Sequence, residues 1–335
     1  MMIFPHPVRG EDTGNFQIKI LKWPGGKEAA VSLRFDDGLE SHVRTVIPLL
    51  NAYDFSATFL VNPGKGQFKK HKTFWTEEVP KHGHRLGNHT MNHRGASSLE
   101  QAEYEIGEPA HLIRKLYPDQ SPLMVFASGG GEKWGGKYWD KADIKYKSLV
   151  AKYQMIDLYD GNHPYISAYS SQTAGTLAKS LEKTLFEGRH QTITFHHVGG
   201  DRIKDILKGV LFNSNNAFPT HEFERFLKIL HAQREKLWIA PLIETIKYEK
   251  EIGSAAISDI TDGKNSINFK LEIGTDPVIY DIPLTVIVKG IEFSLEKAQQ
   301  DGEIIPFHVT EDSVMLWLKP TSSEILISFK TPEVP

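Results

Sequence analysis

Short, mostly apolar runs recur along the first two thirds of the chain, with amphipathic stretches between them. The runs at 29–35, 57–61, 85–88, 123–127, 155–158, 192–195 and 237–240 are too short for helices and predict strands. The stretches 43–53, 99–117, 177–186 and 223–233 carry apolar residues at helical spacing, and Ser98 with Gln101 is placed for a capping box at the second of them. Strand and helix in alternation predict an α/β fold with a parallel sheet and helices outside. Seven such units close better as a (β/α) barrel than they lie flat.

The pattern changes after the helix-like stretch 242–252. Apolar runs at 266–271, 284–288, 304–309, 314–318 and 325–329 are now broken by Asp262-Gly263, Asp301-Gly302 and Pro320. Across 266–272 every second residue is apolar, the period of a strand with one buried face. The division predicts an α/β domain over 1–252 and a small antiparallel β-sandwich over 253–335. That tail is either a packing module or a carbohydrate-binding one. Its single tryptophan, Trp317, favours packing, because sugar platforms use several exposed aromatic faces.

Composition narrows the partners. The chain has 335 residues, 40% hydrophobic and 24% charged, an ordinary globular balance with room for a packed domain and an accessory one. A net charge of -3 gives no electrostatic case for nucleic acid or an anionic membrane, so recognition falls to hydrogen bonds and aromatic faces. No apolar run reaches the roughly 18 residues of a membrane span. The first residues, Met1 to Pro7, lack the basic start and apolar core of a signal peptide. If the protein is exported, its leader has been removed, and a secreted or periplasmic setting is then the expectation. With no cysteine, disulfides and thiolate ligands are excluded, which leaves histidine and carboxylate as the metal-binding set.

Three groups of such residues each follow a candidate strand, where parallel-sheet proteins place their active-site loops: Asp36-Asp37 after 29–35, His89 and His93 after 85–88, and His196-His197 after 192–195. Adjacent carboxylates can divide labour, one binding a metal and the other staying free as a base. Histidines at i and i+4 sit one helical turn apart and can present nitrogens to one ion. Each feature also has a plainer reading. Asp-Asp-Gly is what strand-ending turns prefer, and surface histidines fall at this spacing by chance.

Together the residues carry a family likeness. Arg34-Phe35-Asp36-Asp37-Gly38, Gly87-Asn88-His89-Thr90-Met91-Asn92-His93 and Thr194-Phe195-His196 resemble, in order and spacing, three motifs of the polysaccharide deacetylases, the NodB-like carbohydrate esterases: Thr-Phe-Asp-Asp-Gly, His-Ser/Thr-x-x-His and Leu-x-His. The resemblance covers about residues 27–250 and implies a distorted seven-stranded (β/α) barrel that removes N- or O-acetyl groups from a carbohydrate. It further implies one divalent metal on Asp37, His89 and His93, zinc by default, with nickel, cobalt or iron suited to the same ligands. Asp36 would be the base that deprotonates a metal-bound water, and His196 the acid that protonates the leaving amine or alkoxide. His197 is the fallback acid. On a strand the two side chains point to opposite faces, so one of them enters the site.

Two motifs depart from the family pattern. Its third motif carries an arginine paired with the catalytic aspartate, and 125–134 holds none; Lys133 matches the charge but not the bidentate geometry. Gly129 and Gly130 either expose N–H groups as an oxyanion hole or form a plain turn. The fourth motif, an Asp and a Trp that orient the acid, is not clear, although Asp157, Tyr159 and Asp160 lie in its region. Trp75, Trp134, Trp139, Tyr159 and Tyr165 flank the site as sugar-stacking faces or as core, with Trp134 the best placed for exposure. Two other classes stay open, a metal-free amide hydrolase of small nitrogen heterocycles and a non-catalytic sugar-binding relative. The full set Asp36, Asp37, His89, His93 and His196 argues against both.

Overall fold

The computed structural model describes residues 10–12, 16–118, 120–129, 147–199, 217–290 and 295–330. They fall into two compact units, one within 28–245 and the other from the described parts of 1–27 and 246–335.

The first unit is built on an eight-stranded parallel sheet: β1 (Ala29–Phe35), β2 (Thr58–Val61), β3 (Arg85–Asn88), β4 (Met124–Phe126), β5 (Met155–Asp157), β6 (Tyr165–Ser167), β7 (His190–Phe195) and β8 (Leu237–Ile239). The order is β5-β4-β3-β2-β1-β7-β6. β8 pairs with the first half of β1, at Ala29 to Val31, and β2 with its end, at Arg34 and Phe35. All seven expected strands are present, most of them a residue or two different at their ends. β6 is the addition: three residues, none buried, with no apolar run to announce them.

No ladder joins β5 to β6 among the described residues, so the expected distorted seven-stranded barrel is realised as a curled parallel sheet left open between these two strands, with β6 as an eighth strand. Its edges still approach each other. Tyr159, just past β5, and Tyr165, the first residue of β6, have ring centres 6.1 Å apart.

β1 is buried along its whole length, as a central parallel strand covered on both faces must be. Its faces differ in chemistry. Ala29, Val31, Leu33 and Phe35 join the hydrophobic core, where Phe35 lies between Phe59 of β2 and Phe195 of β7 at ring distances of 5.1 and 5.2 Å. Ser32, Arg34 and, just past the strand, Asp36 are buried too and share the opposite face by the two-residue period.

The expected helix at 43–53 begins as a wide turn, His42–Val46, in which Ile47 N–H reaches back to His42 O, before Ile47–Ala52 continues as ordinary α-helix. Pro48 explains this, because it has no N–H to bond the carbonyl four residues earlier. The capping box at Leu99–Leu116 forms by half. The Ser98 hydroxyl accepts from Gln101 N–H, while the Gln101 side chain accepts from Ser97 N–H instead of Ser98.

The second unit holds two five-stranded antiparallel sheets. In one, Ser266–Ile273 lies between Ala255–Gly263 and Ser323–Phe329; in the other, Leu284–Lys289 lies between Ser313–Leu318 and Gln17–Ile20. The last strand corrects the expected division. The boundary falls at 245/246 rather than 252/253, and the N-terminal segment belongs with the tail. Ile18 and Ile20 are buried there, Trp23 stacks on Tyr248, and the Tyr248 hydroxyl donates to Leu21 O at 2.9 Å. A four-residue strand carries no mark of a partner more than 250 residues away.

Candidate active site

The chemistry-bearing residues extend the sheet by one step. Asp36 N–H donates to Phe195 O (3.0 Å), and His89 N–H to Val61 O (3.1 Å). Parallel strands thus deliver Asp36-Asp37, His89 and His196 to one edge of the sheet.

The His89–His93 segment is not a helical turn, contrary to the expectation from its spacing. Thr90 (φ 67°) and His93 (φ 59°) are left-handed, as is Asp37 (φ 79°). Such residues cost of order 1 kcal/mol each and persist where their surroundings over-determine them. Here Asn88 Oδ1 accepts from Thr90 N–H (2.8 Å), Thr90 Oγ1 from His93 N–H (3.0 Å), and the Asn62 amide donates to His89 O and Thr90 O. Buried Glu105 accepts from Asn92 through both backbone and side chain, at 2.8 and 2.9 Å. Gly129 belongs to the same packing, since a Cβ there would come 2.5 Å from the His93 ring and 2.7 Å from His89 O.

Asp37, His89 and His93 bring their ligand atoms within 4.8 Å of one another. Asp37 Oδ1 lies 3.2 Å from His93 Nε2 and 3.7 Å from His89 Nε2. His89 Nδ1 sits 2.9 Å from Ala127 O, and since a carbonyl only accepts, Nδ1 carries the proton. Burial pushes His89 down to about 4 against the pull of Asp36 and Asp37, so the ring is neutral and Nε2 presents a lone pair to the carboxylate. Two electron-rich groups face each other there. A cation between them resolves the conflict, and two imidazoles with one carboxylate suit a divalent metal.

Beside this trio, Asp36 is buried and held by Arg34: Nε donates to Oδ1 at 2.8 Å and a terminal nitrogen to Oδ2 at 2.7 Å. Burial raises the Asp36 carboxyl, but Arg34, then His89, pull it further the other way, and it ends below the usual carboxylate range. Arg34 is the charge partner that the third-motif region lacks. The motif pattern points to the loop 125–134 for this arginine, whereas Arg34 reaches Asp36 from two residues away, across the end of β1. Lys133, Gly130, Trp134 and Trp139 lie outside the described residues.

His196 Nε2 lies 4.0 Å from Asp36 Oδ2. Its carbonyl accepts from His42 Nε2 at 2.6 Å, while His42 Nδ1 accepts from Leu39 N–H. Burial pushes His42 down to about 4, so this neutral ring acts as a brace, for which the sequence held no signal. His197 instead bonds Ser41 Oγ at 3.0 Å.

The aromatics divide. Trp75 is core, stacked on Phe68. Tyr159 and Tyr165 pack beside Arg34, each ring centre 5.4 Å from the guanidinium carbon, and remain 45% and 41% exposed. Arg34 also donates to the Tyr159 hydroxyl at 3.1 Å. Asp157 and Asp160 shape this loop, accepting from Tyr159 N–H and Asn162 N–H.

Residues 24–145 match the family model of the polysaccharide deacetylases. A peptidoglycan-N-acetylglucosamine deacetylase of Bacillus cereus is 33% identical over 106 residues, 31% of this chain and 47% of the relative. A gellan lyase of Bacillus sp is 23% identical over 314 residues, 86% of this chain and 12% of the relative. The chain therefore spans less than half the length of either. Among solved structures, a family 4 carbohydrate esterase from Streptomyces lividans in complex with acetate aligns at 15% identity and a TM-score of 0.42, over 66% of this chain and 95% of that one.

Proposed function

Because residues 24–145 match the polysaccharide deacetylase family model, we propose that the chain is a metal-dependent hydrolase that removes acetyl groups from a carbohydrate. The observation that carries this reading is the meeting of Asp37, His89 and His93 around a deprotonated His89 Nε2, with Asp36 and His196 alongside.

Asp37, His89 and His93 would hold a divalent cation, zinc first, with nickel, cobalt or iron suited to the same ligands; when bound, it supplies Lewis acidity toward water and the acetyl carbonyl. Asp36, ionised and fixed by Arg34, takes the proton of the attacking water. His196, across from it at 4.0 Å, gives a proton to the departing sugar nitrogen or oxygen. Left-handed Asp37 lets two consecutive carboxylates serve different tasks, because the bend turns it toward the histidines while Asp36 stays on the Arg34 face. The exposed rings of Tyr159 and Tyr165 offer apolar faces to a pyranose. In the second unit each sheet buries alternate side chains, which supports a β-sandwich acting as a packing module.

Acetate release from N-acetylglucosamine oligomers, peptidoglycan and acetylated xylan, with and without a chelator, tests this. Release from at least one glycan, abolished by the chelator, is expected. Metal-loaded protein that frees no acetate from any of them would overturn the reading.

A further inference from the structure

We propose that Arg34 is the positioning residue of the general base, taking over from its own strand the task of the third-motif arginine that this chain lacks. The inference rests on the deacetylase reading and explains how the chain keeps a complete site without that loop residue.

A buried carboxylate needs a partner that satisfies both oxygens, and a guanidinium fork does so with a geometry that lysine cannot copy. Arg34 makes both bonds, at 2.8 and 2.7 Å, from a side chain only 1% exposed. Its own freedom is removed in turn. The Tyr159 hydroxyl accepts from it, and the rings of Tyr159 and Tyr165, 6.1 Å from each other, each lie 5.4 Å from its guanidinium carbon. Because Arg34 lies on β1 and Asp36 is the first residue past it, tied to β7 through its N–H to Phe195 O, two residues of backbone set the spacing, where a loop arginine depends on the loop. Each Asp36 oxygen gives one lone pair to Arg34 and keeps another, which leaves the carboxylate able to receive a proton on the side of His196.

The test is a double-variant cycle with Arg34→Met, Arg34→Lys, Asp36→Asn and Arg34→Met/Asp36→Asn, read on N-acetylglucosamine tetramer and on 4-nitrophenyl acetate. Arg34→Met should lower kcat roughly 100-fold, the lower end of a lost acid–base function, with KM and metal content by elemental analysis nearly unchanged. Arg34→Lys should recover part of it. In the Asp36→Asn background Arg34→Met should change kcat less than about threefold, since a residue that acts through another has nothing left to act on. Multiplied losses in the double variant, or metal loss in Arg34→Met and Arg34→Lys, would overturn the proposal. If metal-loaded wild-type protein releases no acetate from either probe, nor from peptidoglycan or acetylated xylan, the deacetylase reading fails, and urea unfolding of the same four variants decides on Arg34: a double variant at least as stable as Arg34→Met keeps the pairing, and additive destabilisation removes it.

Discussion

At the scale of single residues, the site separates tasks among groups that look alike in sequence. Asp36 and Asp37 are neighbours, yet one faces a guanidinium and the other two imidazoles. Asp36→Asn should therefore keep the metal and lose most of the rate, whereas Asp37→Asn, His89→Ala and His93→Ala should lower metal occupancy itself with the fold intact. Elemental analysis beside activity checks this, and equal metal loss in both aspartate variants would show the roles to be wrongly divided. The adjacent histidines differ in the same way. His196→Ala should reduce turnover of an acetylated glycan by about two to four orders of magnitude and leave 4-nitrophenyl acetate, whose leaving group needs little protonation, nearly untouched. His197→Ala should be mild, and the reverse result would move the acid one position along. The five polar groups of this site were legible because each follows a buried strand. Arg34 and His42 were not, because a guanidinium on a sheet face and a histidine donating to a carbonyl leave no spacing to read.

At the scale of elements, the strands that were read to the residue, β1 and β3, are those whose ends turn abruptly into chemistry. β6 and Gln17–Ile20 escaped because three or four residues carry too little periodicity, and pairing across the sheet rather than local pattern makes them strands. The reading of His89 and His93 as a helical pair erred for a related reason. A spacing of four fits a helix and a left-handed turn alike, and only tertiary partners decide. Those partners carry a testable load. Glu105, on the helix Leu99–Leu116, ties Asn92 at two points, so Glu105→Ala should loosen His93 and weaken metal affinity about 10–100-fold, the usual cost of removing a ligand's support. Titration of metal-free protein with zinc measures it, and unchanged affinity would mean that the loop holds its shape without that tie. Gly129→Ala should act on the same ring from the other side, with a Cβ 2.5 Å from its edge.

At the scale of the whole molecule, the two units answer to different conditions, since the proposed catalytic residues all lie within 28–245 and the second unit has a buried ionisable group of its own. Glu251 is fully buried; its Oε1 accepts from Ile282 N–H at 2.9 Å, and Oε2 has no hydrogen-bond partner among the described residues. Burial, opposed by the Ile282 N–H bond and more weakly by Lys247 and reinforced by Asp281, pushes its carboxyl up to about 7 from an ordinary 4.5. A carboxyl raised in the folded state contributes stability that is fully present below its unfolded value and is lost as pH rises through the folded one. The window is therefore about pH 4.5 to 7, and at about 1.36 kcal/mol per pKa unit the loss across it is at most roughly 3–4 kcal/mol. Glu251→Gln keeps the acceptor for Ile282 and cannot ionise. Its melting temperature should match wild type near pH 5 and exceed it near pH 8, in the transition that reports the second unit, while acetate release per folded molecule stays the same. A variant that melts below wild type at pH 8 would show that the ionised carboxylate is stabilised in place, and that the burial of Glu251 does not govern how this unit responds to pH.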